Sequence, residues 1–285
     1  MESEVCNIIA CIDSELKAFY HEHDEILSVF VVGSMFNLKD YKLRTNNDYD
    51  IRFVVKDRTK DIFDAIKSFE ERLCEVYTRD DICIKYNNIV GLVNHNVSKK
   101  SCNILLHIIV HSIDDLYTTL PLTHQLRYKK YHRLISGKDY LKNLQNNFDI
   151  NYLIDAYEGI LWCQDMLSRN VYKFLELEAK DNESVLSYVY KESSDISEMQ
   201  HEMILYSIKN VLLNIYEITV LNRGCDLTFD SFWKSMVMSN EYQKLIMAVV
   251  DRNEDLLDNL GVDSRLLAIQ YLETIKKNIS EGAIG

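Results

Sequence analysis

Asp48 and Asp50 flank a single residue, Tyr49, at the head of an apolar run, Ile51-Arg52-Phe53-Val54-Val55. On a strand, side chains at i and i+2 share a face and lie roughly 6–7 Å apart at the backbone, so the two carboxylates can converge on a pair of divalent ions about 3.5–4 Å apart. Tyr49 then points to the other face. Upstream, the apolar segment Val29-Phe30-Val31-Val32 ends in Gly33-Ser34. Backbone N–H groups that no Cβ obstructs, with one hydroxyl beside them, suit phosphate oxygens. The thirteen residues from Met35 to Asn47 have room for a short helix and a polar turn, with Lys39, Lys42 and Arg44 to face phosphates and Thr45-Asn46-Asn47 as turn formers. Phosphates, metal ions and an acceptor group would meet at this point of the chain.

Those residues need a scaffold. Residues 3–23 carry Val5, Ile8, Ile9, Ile12, Leu16, Phe19 and Tyr20 at helical spacing, with Ser3 as an N-cap. The spacing predicts a helix leading into a strand over 27–33, a second strand over 49–56, and an amphipathic helix over 57–77 with Ile62, Ile66, Phe69, Leu73 and Val76 on one face. Two short strands, 82–86 and 89–93, are expected to form a hairpin across Asn87-Asn88. Asn103 to His111 is apolar and β-branched enough for a buried central strand. From about Pro121 the strand signals vanish, and helices are expected near 122–134, 139–146, 150–168, 170–179, 196–223, 229–238, 240–251 and 263–279, with Gly224 as a C-cap. A small α/β unit followed by an all-helical half results, with the boundary near 112–121.

Composition agrees with that division. Eight glycines and one proline in 285 residues favour long helices over tight turns. The formal net charge of −12 opposes broad attraction to polyanions, so extensive nucleic-acid binding is not expected. Seven cysteines without a C-x-x-C pair point to neither a disulfide framework nor a zinc ribbon. The acidic start, Met1-Glu2-Ser3-Glu4, has no signal-type apolar core, and no segment reaches the roughly 20 apolar residues of a membrane span. A cytoplasmic protein with no membrane partner is the expectation.

Gly33-Ser34, the spacer and Asp48-Tyr49-Asp50 together resemble the signature of the nucleotidyltransferase superfamily with a DNA polymerase β-type palm. The resemblance covers residues 1 to 118. It implies an α+β fold: a small mixed-sheet nucleotidyltransferase palm over 1–118, then an all-α C-terminal helical domain over 119–285 that helps close the cleft. It implies that Asp48 and Asp50 bind two Mg²⁺ ions, with Mn²⁺ able to replace them, and that Gly33 and Ser34 hold the terminal phosphates of an NTP, ATP first. A nucleoside monophosphate would pass to a hydroxyl or phosphate of a small molecule, a protein or an RNA end. A homodimer is compatible with this reading.

The chain departs from the family pattern in three places. The spacer is long, Asn47 stands where Ser is common, and the later central strand offers Asn103, Leu105, His107 and Ile109 where active members supply a third carboxylate. His107 could serve there as proton acceptor, metal ligand or phosphate-orienting donor, or could be a core histidine bonded to a carbonyl. It cannot share one ion with His111, because four strand residues separate them by roughly 13 Å. Asp80 or Asp81 could supply the missing acid instead.

The densest basic run, Arg127-Tyr128-Lys129-Lys130-Tyr131-His132-Arg133, precedes Gly137-Lys138-Asp139-Tyr140, a sequence resembling a turn near the nucleotide in the family. Arg127, Arg133 and Lys138 are therefore nucleotide-contact candidates, with tyrosines interleaved for stacking. His21-Glu22-His23-Asp24 reads as a solvent-facing helix end, and Glu158, Trp162 and Asp165 at helical spacing are acceptor-pocket candidates. A reading from another class keeps the same scaffold without catalysis, as a nucleotide-binding or interaction protein of a toxin–antitoxin or phage-defence pair.

Overall fold

A computed structural model of the chain describes residues 2–35, 47–91, 103–118, 122–144, 150–179, 184–194, 200–221, 228–235, 239–251 and 253–281. Along them run α1 (Glu2–Glu22), β1 (Ile26–Val32), β2 (Asn47–Val55), α2 (Lys60–Tyr77), β3 (Ile84–Asn87), β4 (Val90–Gly91), β5 (Ile104–Ser112), α3 (Ile113–Thr118), α4 (Leu122–Lys130) and β6 (His132–Gly137). They continue with α5 (Ile150–Arg169), β7 (Tyr172–Ala179), β8 (Leu186–Ser193), α6 (Gln200–Tyr216), α7 (Phe229–Ser235), α8 (Asn240–Asp251), α9 (Glu254–Asp258) and α10 (Ser264–Ser280). The fold class is α+β with a mixed sheet, as the sequence implies. Two compact units share these elements: one holds residues 1–120, 127–144 and 174–191, the other 121–126, 145–173 and 192–285.

The first unit is built on a five-stranded sheet in the order β3-β5-β2-β1-β6. β1 is antiparallel to β2 and β6, while β5 runs parallel to β2 and β3. β5 is buried from Ile104 to His111, which is why it reads as one continuous apolar run. Strand parity sorts the core. Val29, Val31, Tyr49, Ile51, Phe53, Ile104, Leu106 and Ile108 face one side, where the apolar stripes of α1 (Ile8, Ile9, Ile12, Leu16) and α2 (Ile62, Ile66, Phe69, Leu73) cover them. Phe30, Val32 and Val54 face the other side and meet Leu116, Tyr128, Leu141 and Leu144. Thr59 caps α2 by accepting from Ile62 N, which starts that helix three residues later than periodicity suggests.

Four local expectations change. The helix over 122–134 stops at Lys130, because residues 132–137 pair with the outer edge of β1. Sheet pairing here outweighs the helical spacing of a run with few apolar residues. The helix over 170–179 is strand β7, and β8 joins it in a three-stranded sheet ordered β4-β7-β8. Leu175-Glu176-Leu177-Glu178 alternates with period two, the signal that identifies it as strand. β3 and β4 are not a hairpin: β3 pairs with β5, whereas β4 pairs with β7. The helix over 139–146 is a single 3-10 turn at Leu141–Asn143. Pro121 and Gly224 lie outside the described residues.

In the second unit α5, α6, α8 and α10 pack on one another around Cys163, Met166, Ile208, Leu212, Leu245, Ile246, Ala268 and Leu272. Asn253 caps α9 and Asp263 caps α10 through their side chains. No helix among the described residues is long and apolar enough to cross a membrane.

Candidate active site

β1 ends at Gly33, whose φ is +75°. That left-handed backbone turns the chain into a short 3-10 segment, Gly33–Met35. The β1–β2 register sets Val32 beside Asp50, so the turn lies directly against the acid. A Cβ on Gly33 would collide with Oδ2 of Asp50. Two constraints therefore demand glycine at this position.

Period two on β2 places Asp48, Asp50 and Arg52 on one face and Tyr49 on the other. Asp48 and Asp50 are half-buried. The parallel register with β5 sets His107 directly beside Asp50. His107 Nδ1 lies 2.8 Å from Asp50 Oδ1, and Nε2 lies 2.8 Å from the carbonyl of Ile89. A carbonyl only accepts, so Nε2 carries a proton. Nδ1 faces Asp50 Oδ1, so the ring bridges the acid and the Ile89 carbonyl.

Arg52 completes this cluster. It is 5% exposed. Its Nη2 lies 3.5 Å from Asp50 Oδ1, and Nη1 donates to the carbonyls of Ile51 at 2.9 Å and His107 at 3.1 Å. Nε donates to the Tyr128 hydroxyl at 3.0 Å, with the guanidinium 5.5 Å from that ring's centre. Burial alone would lower the arginine pKa, but Tyr128 and Asp50 hold it above the ordinary range, so the group stays cationic. Further along the same face, burial first and Arg52 second push His111 down to about 3, which keeps it neutral.

The segment that fixes His107 is itself fixed. Asn87 Oδ1 accepts from Ile89 N at 2.8 Å, and Asn88 Nδ2 donates to Glu70 Oε2 at 2.9 Å. Burial pushes the Glu70 carboxyl up to about 8. Glu70 on α2 thereby holds the turn whose carbonyl orients His107.

No family model matches the chain, and no curated protein matches it. Among solved structures, a spectinomycin adenyltransferase, AAD(9) from Enterococcus faecialis with ATP and spectinomycin, aligns over 95% of this chain and 98% of its own at a TM-score of 0.51 and 13% identity. The chain has a nucleotidyltransferase fold.

Within that nucleotidyltransferase fold, the structure brings together only part of the candidate set. Gly33, Asp50 and His107 meet, and Asp48 shares their face. The backbone of Ser34 lies in the turn, but its side chain and all of Arg44 lie outside the described residues. Arg133 is not brought to them. It stands on the opposite face, where it donates to Asp13 Oδ2 at 2.7 Å and to the Tyr49 hydroxyl at 2.8 Å, and that hydroxyl in turn donates to Asp13. Burial, helped by Asp13, raises the Tyr49 pKa far above the phenol range, so this cluster stays a neutral phenol between an ion pair.

Lys138 is not brought to them either. It follows Gly137, which pairs with Ser28, whereas the Gly33 end of β1 pairs with His132. Lys138 N donates to Leu27 O, five strand residues or roughly 17 Å from the Val32 end of β1. Its ammonium lies over the Tyr140 ring, 5.0 Å from the centroid. Arg127 adjoins Tyr128 on α4 and is half-buried. Arg52 is the residue that sequence reasoning missed. Its signal was a lone cation inside an apolar strand, two positions beyond Asp50 and hence on the same face.

The donor chemistry can be tested against a metal. Asp48 and the Oδ2 side of Asp50 are hard oxygen donors beside a phosphate-sized turn, which fits a hard divalent cation completed by phosphate oxygens. Among the described residues no three acidic, histidine or cysteine side chains converge on a metal position. Two acids alone fit a cation only if it takes its remaining oxygens from elsewhere, and the residue across from Asp50, where an acid was expected, is His107.

Proposed function

We propose that the protein is a nucleotidyltransferase that binds an NTP, ATP first, at the Gly33 turn and moves its nucleoside monophosphate to a hydroxyl or phosphate acceptor on a small molecule, a protein or an RNA end. One observation carries this reading: Asp48 and Asp50 share a face of β2, with Asp50 packed against the left-handed Gly33 turn. The shared fold with a protein solved with ATP and spectinomycin supports ATP as donor and favours a small-molecule acceptor.

The residues divide the work as follows. Amides of the Gly33–Met35 turn receive phosphate oxygens. Asp48 and Asp50 would hold Mg²⁺, or Mn²⁺ in its place. The chemistry supplied there is neutralisation of phosphate charge and a lowered pKa for the acceptor hydroxyl. His107 and Arg52 are positioning residues. Together they restrain Oδ1 of Asp50 and leave Oδ2 directed at the turn.

A second reading has its own observation. His107 stands where an active site of this type would place an acid, which favours a catalytically silent nucleotide-binding or interaction protein on the same scaffold. Calorimetry with ATP and Mg²⁺, run beside a pyrophosphate-release assay with mixed acceptors, separates the two. Binding with release is expected. Binding without release under any acceptor mixture selects the silent nucleotide-binding protein, and no binding leaves only an interaction protein on this scaffold.

A further inference from the structure

Glu70 is fully buried on α2, and of its two carboxyl oxygens only Oε2 is met, by Asn88 Nδ2 at 2.9 Å. Oε1 has no hydrogen-bond partner, and neither has Asn88 Oδ1, which is buried as well. The two orphaned atoms belong to the same two planar groups that the Nδ2–Oε2 bond joins, and both are acceptors when the acid is ionised. A buried acceptor left unmet is costly, most of all when it is charged. One proton removes both deficits. Placed on Oε1, it makes a donor for Asn88 Oδ1, and acid and amide close a ring of two hydrogen bonds, O–H···O one way and N–H···O the other.

The surroundings favour that neutral form. Burial pushes the Glu70 carboxyl up to about 8, against the opposing pull of the Asn88 bond. From α2 itself Glu71 adds to the rise and Lys67 opposes it. On β3 the facing titratable group is Tyr86, whose hydroxyl donates to Glu71 Oε1 at 3.2 Å. On α1, the neighbouring helix, Glu15 is taken up by Arg72 and Tyr77.

What the ring holds is the turn between β3 and β4. Asn87 tightens that turn by accepting from Ile89 N at 2.8 Å, and the carbonyl of Ile89 meets His107 Nε2 at 2.8 Å. His107 in turn lies against Asp50. We propose that Glu70 serves as a neutral carboxylic acid, paired with the Asn88 amide in a two-bond ring, and that by locking the Asn87–Ile89 turn to α2 it positions His107 beside Asp50. Glu70 touches no reacting atom, so it is a positioning residue. When the proton leaves, the acid loses its donor to Asn88 Oδ1, acceptor faces acceptor, and the turn is no longer held to α2 by a closed ring. The link to the site rests on the nucleotidyl-transfer reading above, whereas the pairing of Glu70 with Asn88 stands without it.

The tests use the whole chain, native and Glu70→Gln. Glutamine keeps both bonds at every pH, because its amide donates to Asn88 Oδ1 and accepts from Asn88 Nδ2. Infrared difference spectra without ligand are expected to show, in the native protein alone, the carbonyl band of a protonated carboxyl that is lost with a midpoint near the Glu70 pKa of about 8. Absence of that band overturns the pairing. Exchange of the Ile89 amide proton, followed by NMR, should match in the two proteins at about pH 6.5 and be about tenfold faster in the native one at about pH 9.5. Equal exchange at the higher pH overturns the lock on the turn. Label transfer from ATP, read as kcat against pH, should agree at about pH 6.5 and be about tenfold lower in the native protein than in the variant at about pH 9.5. Matching profiles overturn the link to the site even where the band is present. Transfer by neither protein at any pH overturns the nucleotidyl-transfer reading and the link with it, while the spectra still decide the pairing.

Discussion

Gly33 is the residue at which the site tolerates least. A side chain at φ +75° costs about 1–2 kcal/mol for an L-residue, and here the methyl of alanine would also displace the Asp50 carboxylate. Gly33→Ala is expected to keep its fold by circular dichroism and to weaken ATP binding at least about tenfold, the equivalent of roughly 1.4 kcal/mol. Unchanged affinity by calorimetry would mean that the turn does not face the nucleotide. At this scale the sequence was legible where spacing alone decides the geometry. Asp48 and Asp50 had to share a face because strand period is two, and Gly33 had to be special because it ended an apolar run beside them. Arg52 was not legible in the same way. What makes it a site residue is Tyr128, 76 positions away, and local pattern carries no information about such a partner.

At the scale of elements, β6 decides where the basic run is placed. His132 to Gly137 pairs with β1, and parity then sends Arg133 to the face opposite Asp50, into Asp13 of α1 and Tyr49 of β2. Arg133→Ala should therefore cost roughly 1–3 kcal/mol in urea unfolding, the usual range for hydrogen bonds to charged groups, with no change in ATP affinity. A loss of affinity without a loss of stability would return Arg133 to the nucleotide. The β7 and β8 strands were hidden for a related reason: short stretches of alternating Leu and Glu satisfy helical and strand templates alike until a partner strand is known.

Helix α2 has its own signature in pH. Glu70 is held at a pKa of about 8 by burial, against roughly 4.3 in an unfolded chain. Between those values the unfolded chain binds fewer protons than the folded one, so stability is fullest below about pH 4.3, falls as pH rises, and levels off above 8. Glu70→Gln, neutral at every pH and able to accept from Asn88, should flatten this contribution and raise stability at pH 9 by a few kcal/mol. A native-like slope in the variant would assign the pH dependence to another group.

On the scale of the whole molecule, the chain alternates between two compact units, and segments 127–144 and 174–191 return to the first after leaving it. Periodicity reveals where elements are but not which sheet a strand joins, so the α+β class could be read from sequence while the interleaving could not. The acidic balance of −12 also belongs to this scale. On the proposed reading it leaves a nucleotide's charge to be met locally, by the amides of the Gly33 turn and a bound cation, rather than by the surface at large.

The measurement that tests this account most directly is transfer of label from α-³²P-ATP, with Mg²⁺, into the small-molecule, protein and RNA fractions of a cell extract, by the native protein and by Asp48→Asn and Asp50→Asn. The account predicts that label enters one fraction with the native protein, and that each variant keeps its fold but loses on the order of a thousandfold in rate, as removal of a charge-stabilising group in such chemistry does. Label transfer at an unchanged rate in both variants would contradict it.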